Sequence, residues 1–257
     1  MCEIFGACAE HRILLNEYLK EFYRHSDHHP HGWGLGVLHG NDVTIEKEPK
    51  QAAKSHYLRE RLKEPIWEQT LFAHIRYATI GNIEYRNCHP YTVVDEGGRR
   101  WTMVHNGTIF EYKPLEKYVH LQTGDTDSER ILLYIVDQVN LEEQRANRRL
   151  DADERFHLLD RIVSDLSKGN KLNLLLYDNE QMYVHTNYKN SLHYLSKKGS
   201  VLVATSPVSQ EEWKDVPFTQ LLAFQNGKLV RTGTCHGNEY IENEENLKFL
   251  YQIFSDL

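Results

Sequence analysis

The stretch MCEIFGACAE, residues 1–10, decides how the rest of the chain is interpreted. A cysteine stands at position 2, and the largely apolar run after it predicts a buried strand. If Met1 is removed, Cys2 carries a thiol and a free α-amine on one α-carbon. An amine with a pKa of about 8 is a base near neutral pH for a thiol with a pKa of about 8.5. The stretch therefore holds either a nucleophile or an inert cysteine.

The length, composition and net charge are those of an ordinary globular protein. The 257 residues include 40% hydrophobic and 26% charged residues, with a net charge of −7. This length suits residues 1–257 as a single domain, and the charge gives no basic face for a nucleic acid. No apolar run approaches a membrane span, and the first residues lack the pattern of a signal peptide, so a cytoplasmic protein without a membrane partner is expected. The four cysteines form no CxxC pair, and we expect free thiols and no metal.

The chain is organised as strands and hairpins, then helices, then strands again. Helices are predicted over residues 13–23, 52–63, 127–139 and 156–166, with a charged helix connection at 141–154 and a terminal helix or tail at 246–257. Turn residues at 40–42 and 96–98 predict two hairpins. Short strands follow from residue 172 onward. This order favours a layered α+β arrangement in which helices pack outside sheets.

HNG, residues 105–107, follows a predicted strand. Acyl transfer passes through an oxyanion that needs two hydrogen-bond donors in a dry pocket. The side chain of Asn106 and the backbone N–H of Gly107 are suitable donors. The alternative is a hairpin turn, because Asn-Gly is the strongest short hairpin signal.

FAHIRYATIG and GDTDSE contain a complementary pair of charges. Arg76 ends an apolar strand, where burial costs free energy unless the guanidinium is paired. Its partner is a substrate carboxylate or, in the alternative, a protein carboxylate. Asp127 begins a predicted helix, where we expect it to take part in capping and to hold a substrate ammonium group. Together they form a clamp for an amino acid whose side chain reaches Cys2.

The ordered set MC, HGWGLG, HIRYATIG, NCHPY, HNGTIF and GDTDSE resembles the class II glutamine amidotransferases of the N-terminal-nucleophile hydrolase superfamily. The resemblance covers roughly residues 2–140 and looks most like the stand-alone members without a synthase domain. It departs from the usual pattern at Ile80, where R-W-A-T-H is common, and at His31, where an Asp is usual. The fold implied is a four-layer αββα sandwich.

The resemblance also implies residue roles. Cys2 is the nucleophile, and Asn106 with Gly107 forms the oxyanion hole. Arg76 and Thr79 bind the α-carboxylate of glutamine, and Asp127 binds its α-amine. His89 is a pocket histidine with a less defined role. The implied substrate is glutamine or a γ-glutamyl compound, cleaved through a γ-glutamyl thioester without a cofactor, and a separately encoded subunit is a possible ammonia acceptor.

Three alternatives remain open from the sequence. The first is a histidine-rich metal-binding or sensor module, suggested by His25, His28, His29 and His31. The second is an acylase of the same superfamily that cleaves another amide. A plain acyl chain, however, has no charged groups for Arg76 and Asp127 to bind. The third is a non-catalytic amidotransferase subunit, against which the intact Cys2, Asn106 and Gly107 argue.

Overall fold

Two antiparallel sheets form the centre of the protein. The computed structural model describes residues 2–255, and side chains are described for residues 2–249. The strands of the first sheet are β1 Glu3–Leu14, β2 Trp33–His39, β3 Asp42–Glu48, β4 Trp67–Ile75, β9 His193–Lys197, β10 Ser200–Ala204 and β11 Lys214–Asp215. Those of the second are β5 Tyr91–Val94, β6 Arg100–Thr108, β7 Lys171–Tyr177, β8 Met182–His185, β12 Leu222–Gln225 and β13 Lys228–Thr232. Within the described range the first sheet has the order β11-β9-β10-β1-β4-β2-β3 and the second the order β13-β12-β8-β7-β6-β5.

Four of the five described helices pack against the outer faces of the sheets. These four are α1 Asn16–Arg24, α2 His56–Arg61, α3 Asp127–Ala146 and α4 Ala152–Leu166, and the fifth is α5 Glu244–Ser255. Leu19 of α1 and Leu58 of α2 share a core with the first sheet. Ile131 of α3 and Leu159 of α4 share another with the second sheet. None of the described helices is both long and apolar enough to cross a bilayer.

The alternation of side chains along β1 creates the two inner interfaces. Phe5 and Ala7 face α1 and α2, whereas Ile4 and Cys8 face the second sheet. Gly6 lies directly under Leu175 of β7, where a Cβ would come within 2.7 Å of that side chain. Helix, sheet, sheet and helix therefore follow one another, and the predicted four-layer αββα sandwich is confirmed.

Both predicted hairpins are present, but the boundaries of all five predicted helices differ from the prediction. Residues 13–14 of the first predicted helix belong to β1, and α1 runs from Asn16 to Arg24. Residues 52–63 divide into a 3-10 turn, Ala52–Lys54, and α2, because the extended Ser55 intervenes and its hydroxyl accepts the N–H of Leu58 at 3.0 Å. Helix α3 continues to Ala146 and ends at Asn147, whose φ of 51° is left-handed. Helix α4 begins with a capping box between Asp151 and Glu154 inside the predicted connection. The terminal helix starts at Glu244, and residues 256–257 of that prediction lie outside the described range.

Candidate active site

Strand periodicity brings Cys2 into the space between the sheets. Ile4 and Cys8 of β1 point there, and the two-residue period places Cys2 on the same face. Its Sγ lies 3.3 Å from both the backbone nitrogen and the carbonyl oxygen of Tyr77. Met1 lies outside the described residues, so the predicted removal of Met1 stays a prediction.

The surroundings of Cys2 act on its thiol in opposite senses. Burial raises the pKa of the Cys2 thiol, and the hydrogen bond from the backbone N–H of Tyr77 works against that rise. The positive charge of Arg76 also lowers this pKa, whereas the carboxylate of Asp127 raises it. Cys2 therefore lies within electrostatic reach of both charges of the predicted clamp.

The segment beside Cys2 is fixed by its backbone. Strand β4 pairs Ile75 with both Glu3 and Trp33, and the chain leaves the sheet immediately afterwards. The backbone N–H of His31 donates to the carbonyl of Arg76 at 3.1 Å. The ring of His31 accepts the N–H of Ala78 through Nδ1 at 2.9 Å. His31 thus orients the backbone of the segment that contacts the thiol.

Backbone carbonyls hold Arg76 in the structure, and neither of the partners considered from the sequence, a substrate carboxylate or a protein carboxylate, is of this kind. The residue is 2% exposed, and its guanidinium donates to the carbonyls of Ile80 at 3.1 Å, Gly81 at 2.8 Å and Asn82 at 2.9 Å. These bonds orient the group without cancelling its charge, so an anion placed beside it retains a strong attraction. Thr79 lies half-buried on the same segment.

Asn106 and Gly107 lie inside β6, and the alternative of a hairpin turn at these residues is wrong. Asn106 pairs with Asn173 of β7 and is 2% exposed. Its Oδ1 has no hydrogen-bond partner among the described side chains and backbone. Gly107 pairs with Leu172, and a Cβ at this position would overlap the carbonyl oxygen of Lys171. The close backbone contact explains why glycine stands here.

The expected capping role of Asp127 belongs instead to Thr126. The hydroxyl of Thr126 accepts the N–H of Glu129 at 3.2 Å as the N-cap of α3. The carboxylate of Asp127 accepts the N–H of Ile109 through Oδ2 at 2.8 Å and that of Ser128 through Oδ1 at 2.9 Å. These bonds tie Asp127 to the chain leaving β6, three residues after Asn106.

His89 belongs to a buried aromatic stack behind the site. Its ring lies 4.0 Å from that of His74 of β4 and 4.7 Å from that of Tyr91. Burial lowers the pKa of both His74 and His89 well below the usual value, so both rings are neutral. The hydroxyl of Tyr91 bonds to that of Thr126 at 2.8 Å. His89 therefore connects β4 to the start of α3.

Glycines in the HGWGLG motif make room for that stack. A Cβ at Gly34 would overlap the carbonyl oxygen of His89, and one at Gly36 would lie 2.9 Å from Pro90. The motif is thus a packing surface for residues 89–90.

Several residues of the site were missed from the sequence, among them His31, His74, Tyr77, His105 and Lys171. His105 bonds to the hydroxyl of Ser128 at 2.9 Å from the outer face of β6. One signal was available for His74 and Lys171, because each is an ionisable residue at one end of a strand with a largely apolar centre. Tyr77 acts through its backbone, which leaves no signal in a side chain.

The histidines of residues 25–31 make separate contacts. His25 pairs with Glu3 at 2.7 Å, and Nδ1 of His29 bonds to the carbonyl of His25 at 2.8 Å. His31 is engaged by Ala78 as described. No group of three or more His, Cys, Asp or Glu side chains arranged to hold a metal occurs in the described part of the chain.

Comparison with known proteins gives consistent matches. The family model described as glutamine amidotransferases class-II matches residues 1–199. The protein MJ1515 of Methanocaldococcus jannaschii is 28% identical over 258 residues, covering 90% of this chain and 71% of that protein. YafJ of Escherichia coli is 29% identical over 177 residues, covering 69% of this chain and 68% of YafJ. The structure of glutamine phosphoribosylpyrophosphate amidotransferase from B. subtilis matches with a TM-score of 0.66 at 16% identity, over 91% of this chain and 49% of that chain, and so shares the fold.

Proposed function

Because the chain belongs to the class II glutamine amidotransferases, an enzyme family acting on the amide of glutamine, we propose that Cys2 is its N-terminal nucleophile. In this proposal residues 1–257 form one domain, Met1 is removed, and the α-amine of Cys2 is the base. The observation that carries the proposal is the position of the Cys2 thiol, 3.3 Å from the backbone N–H of Tyr77 and within electrostatic reach of Arg76 and Asp127.

The proposed reaction uses these groups in turn. The α-amine takes the thiol proton, and the thiolate forms a C–S bond to the γ-carbonyl carbon of the substrate. The Nδ2 of Asn106 and the backbone N–H of Gly107 stabilise the oxyanion. The C–N bond then breaks, and the departing nitrogen takes the proton from the α-ammonium. Water hydrolyses the thioester, which releases glutamate and restores the thiol.

The amino-acid end of the substrate is assigned to the two buried charges. Arg76 and Thr79 bind the α-carboxylate, while Asp127 accepts hydrogen bonds from the α-ammonium group. His89 supports this end because its stack connects the strand before Arg76 to Tyr91 and Thr126. This clamp selects glutamine or γ-glutamyl compounds over simple amides, which argues against the acylase alternative. The released ammonia either leaves into solution, which makes the protein a hydrolase, or passes to a separate ammonia-using subunit.

Hydrolysis by the untagged protein tests the proposal. We expect ammonia release from L-glutamine or amine release from a γ-glutamyl amide, with Cys2→Ala reducing turnover to background. Cys235→Ala is the matched control, since Cys235 is an exposed free thiol, and it should retain full activity. Turnover that survives in Cys2→Ala contradicts the assignment, and the absence of turnover with every such substrate contradicts a hydrolase.

A further inference from the structure

A small cavity with nitrogen-rich walls lies where four turns of the chain meet. Its volume is about 260 Å³, and among the described residues it is lined by Asn41, Arg99, Arg149 and Asn179. These residues belong in turn to the β2–β3 turn, the β5–β6 turn, the connection between α3 and α4, and the β7–β8 turn. Two guanidinium groups and two carboxamides therefore share one space, and none of these four lining residues is acidic.

The cavity lies at the far end of β6 from the proposed oxyanion hole. Strand β6 begins at Arg100, directly after Arg99, and Asn106 lies near its other end. At a strand rise of about 3.3 Å per residue, Arg100 and Asn106 are roughly 20 Å apart. A ligand in the cavity therefore leaves the space around Asn106 and Cys2 free.

Arg99 is fixed in place by buried groups. Its backbone N–H donates to Oδ1 of Asp95 at 2.7 Å, and Asp95 is 4% exposed. Its Nη1 donates to the carbonyl of Asp178 at 3.1 Å and lies 3.8 Å from the carboxylate of Glu180, which pairs more closely with Arg155 at 2.6 Å. Nε of Arg99 is buried and has no hydrogen-bond partner among the described side chains and backbone. The guanidinium is thus held rigidly, with donors that the protein leaves unused.

Arg149 lines the cavity without a carboxylate of its own. The preceding residue, Arg148, is paired with Glu154 at 2.7 Å, whereas the guanidinium of Arg149 forms neither an ion pair nor a hydrogen bond within the described part of the chain. It lies against the β5–β6 turn, because a Cβ on Gly97 would come within 3.0 Å of its Nε. Two like charges that line one small cavity repel each other, and an anion bound between them removes that cost.

Asn41 adds a further donor to the cavity. The backbone N–H of Arg100 donates to Oδ1 of Asn41 at 3.3 Å, and Nε of Arg100 donates to the carbonyl of Asn41 at 2.8 Å. Nδ2 of Asn179 donates to the same Oδ1. The acceptor of the Asn41 carboxamide is therefore used within the protein, and its Nδ2 is the group left for a ligand.

We propose that this cavity binds a phosphate group, either as inorganic phosphate or as the terminal phosphate of a small metabolite. A guanidinium group binds two phosphate oxygens in a bidentate manner. The several oxygens of a phosphate group can accept from Arg99, Arg149 and Asn41 together, whereas the two oxygens of a carboxylate use fewer of these donors. The site is separate from the proposed function, because none of its residues belongs to the machinery around Cys2.

Isothermal titration calorimetry of the untagged protein with inorganic phosphate, at constant ionic strength, tests the site. We expect saturable binding of one phosphate per chain, and Arg149→Gln should weaken it roughly 10- to 100-fold, the effect of losing one charge-assisted hydrogen bond. Arg149 is exposed, so this variant should fold. Arg145→Gln is the matched control, because it makes the same change of charge at an exposed residue that pairs with Glu142, and its affinity should equal that of the parent protein.

Titration with glycerol 3-phosphate distinguishes the two sources of the phosphate group. Tighter binding of the ester assigns the site to a metabolite, and tighter binding of inorganic phosphate assigns it to the free ion. Acetate should bind more weakly than either.

The absence of saturable binding of both phosphate compounds overturns the site, as does acetate binding of equal strength. An affinity that is unchanged in Arg149→Gln, or that falls equally in Arg145→Gln, also overturns it. Cys2→Ala should bind phosphate like the parent protein, so the outcome for this site is independent of the outcome for the nucleophile.

Discussion

The carbonyl oxygen of Lys171 occupies the space that a Cβ on Gly107 would need. The same Cβ would lie 2.5 Å from Nε2 of His105. Because both obstacles belong to well-packed strands, the pairing of β6 with β7 depends on glycine at the position whose N–H is the proposed oxyanion donor.

Gly107→Ala should therefore lose both stability and turnover. We expect a loss of about 1–3 kcal/mol in the free energy of unfolding, the usual cost of overpacking, and turnover near background because the N–H is displaced. Gly97→Ala is the control, since a Cβ there meets only the flexible side chain of Arg149 at 3.0 Å. Urea unfolding and glutamine hydrolysis are the measurements. An active and stable Gly107→Ala would show that the backbone at this position is not constrained.

Asn106→Ala should lower kcat about 10²- to 10³-fold, which is the effect of removing one oxyanion donor. Its stability should change little, because Oδ1 of Asn106 has no partner among the described residues. Asn173→Ala provides the contrast. Its carboxamide accepts from Thr186 at 2.7 Å and donates to Ser191 at 2.9 Å, so its loss should mainly lower stability. A kcat for Asn106→Ala within a few-fold of the parent value would remove Asn106 from the oxyanion hole.

Adjacent substitutions at the start of α3 should separate stability from binding. Thr126→Ala removes the N-cap and should cost about 1 kcal/mol in unfolding free energy. Asp127→Asn removes the charge and should lower kcat/KM for γ-glutamyl substrates roughly 10- to 100-fold. The control substrate is 4-carbamoylbutanoate, which lacks the α-amine and should respond little to Asp127→Asn. An equal loss with both substrates would assign Asp127 a structural role alone.

The stability of the protein should fall in acid because of buried histidines such as His185. Its ring is fully buried, bonds to the carbonyl of Leu172 at 2.9 Å and contacts His236 at 3.0 Å. Burial lowers the pKa of His185 to about 3, whereas an unfolded histidine has a pKa of about 6.5. Between these values the unfolded chain binds one more proton at this site, so stability falls as the pH falls, and no such loss occurs above about pH 6.5.

His185→Gln should reduce that acid slope by up to about 1.4 kcal/mol per pH unit, the linkage of one proton. The free energy of unfolding is measured by urea titration at several pH values between 5 and 6.5. The change in this free energy per pH unit is then compared between the parent protein and His185→Gln, because a loss of stability that is the same at every pH does not affect it. An unchanged slope would mean that His185 is protonated in the native protein.

The four-layer sandwich could be predicted from the sequence because its ordered motifs resemble a known family, and the layered order of strands and helices because periodicity is local. The roles of the site residues stay predictions. Strand periodicity placed Arg76 at the end of an apolar strand, but it ended the preceding strand before Asn106, which lies inside β6. It could not show that carbonyls four to six residues downstream hold Arg76, because a loop conformation has no side-chain pattern. Ser55 interrupts a helical pattern through a single capping bond. The stack of His74 on His89 joins a strand to a distant loop and depends on Gly34, a relationship visible only in three dimensions.

The central claim is that Cys2 is an N-terminal nucleophile. It is tested most directly by treating the untagged protein with a diazoketone analogue of glutamine and mapping the adduct by mass spectrometry. We predict one adduct, on the Cys2 thiol of chains that begin at Cys2, and none on protein that retains Met1 or carries an N-terminal extension. An adduct on Cys8, Cys88 or Cys235, or equal labelling of chains that retain Met1, would contradict the account.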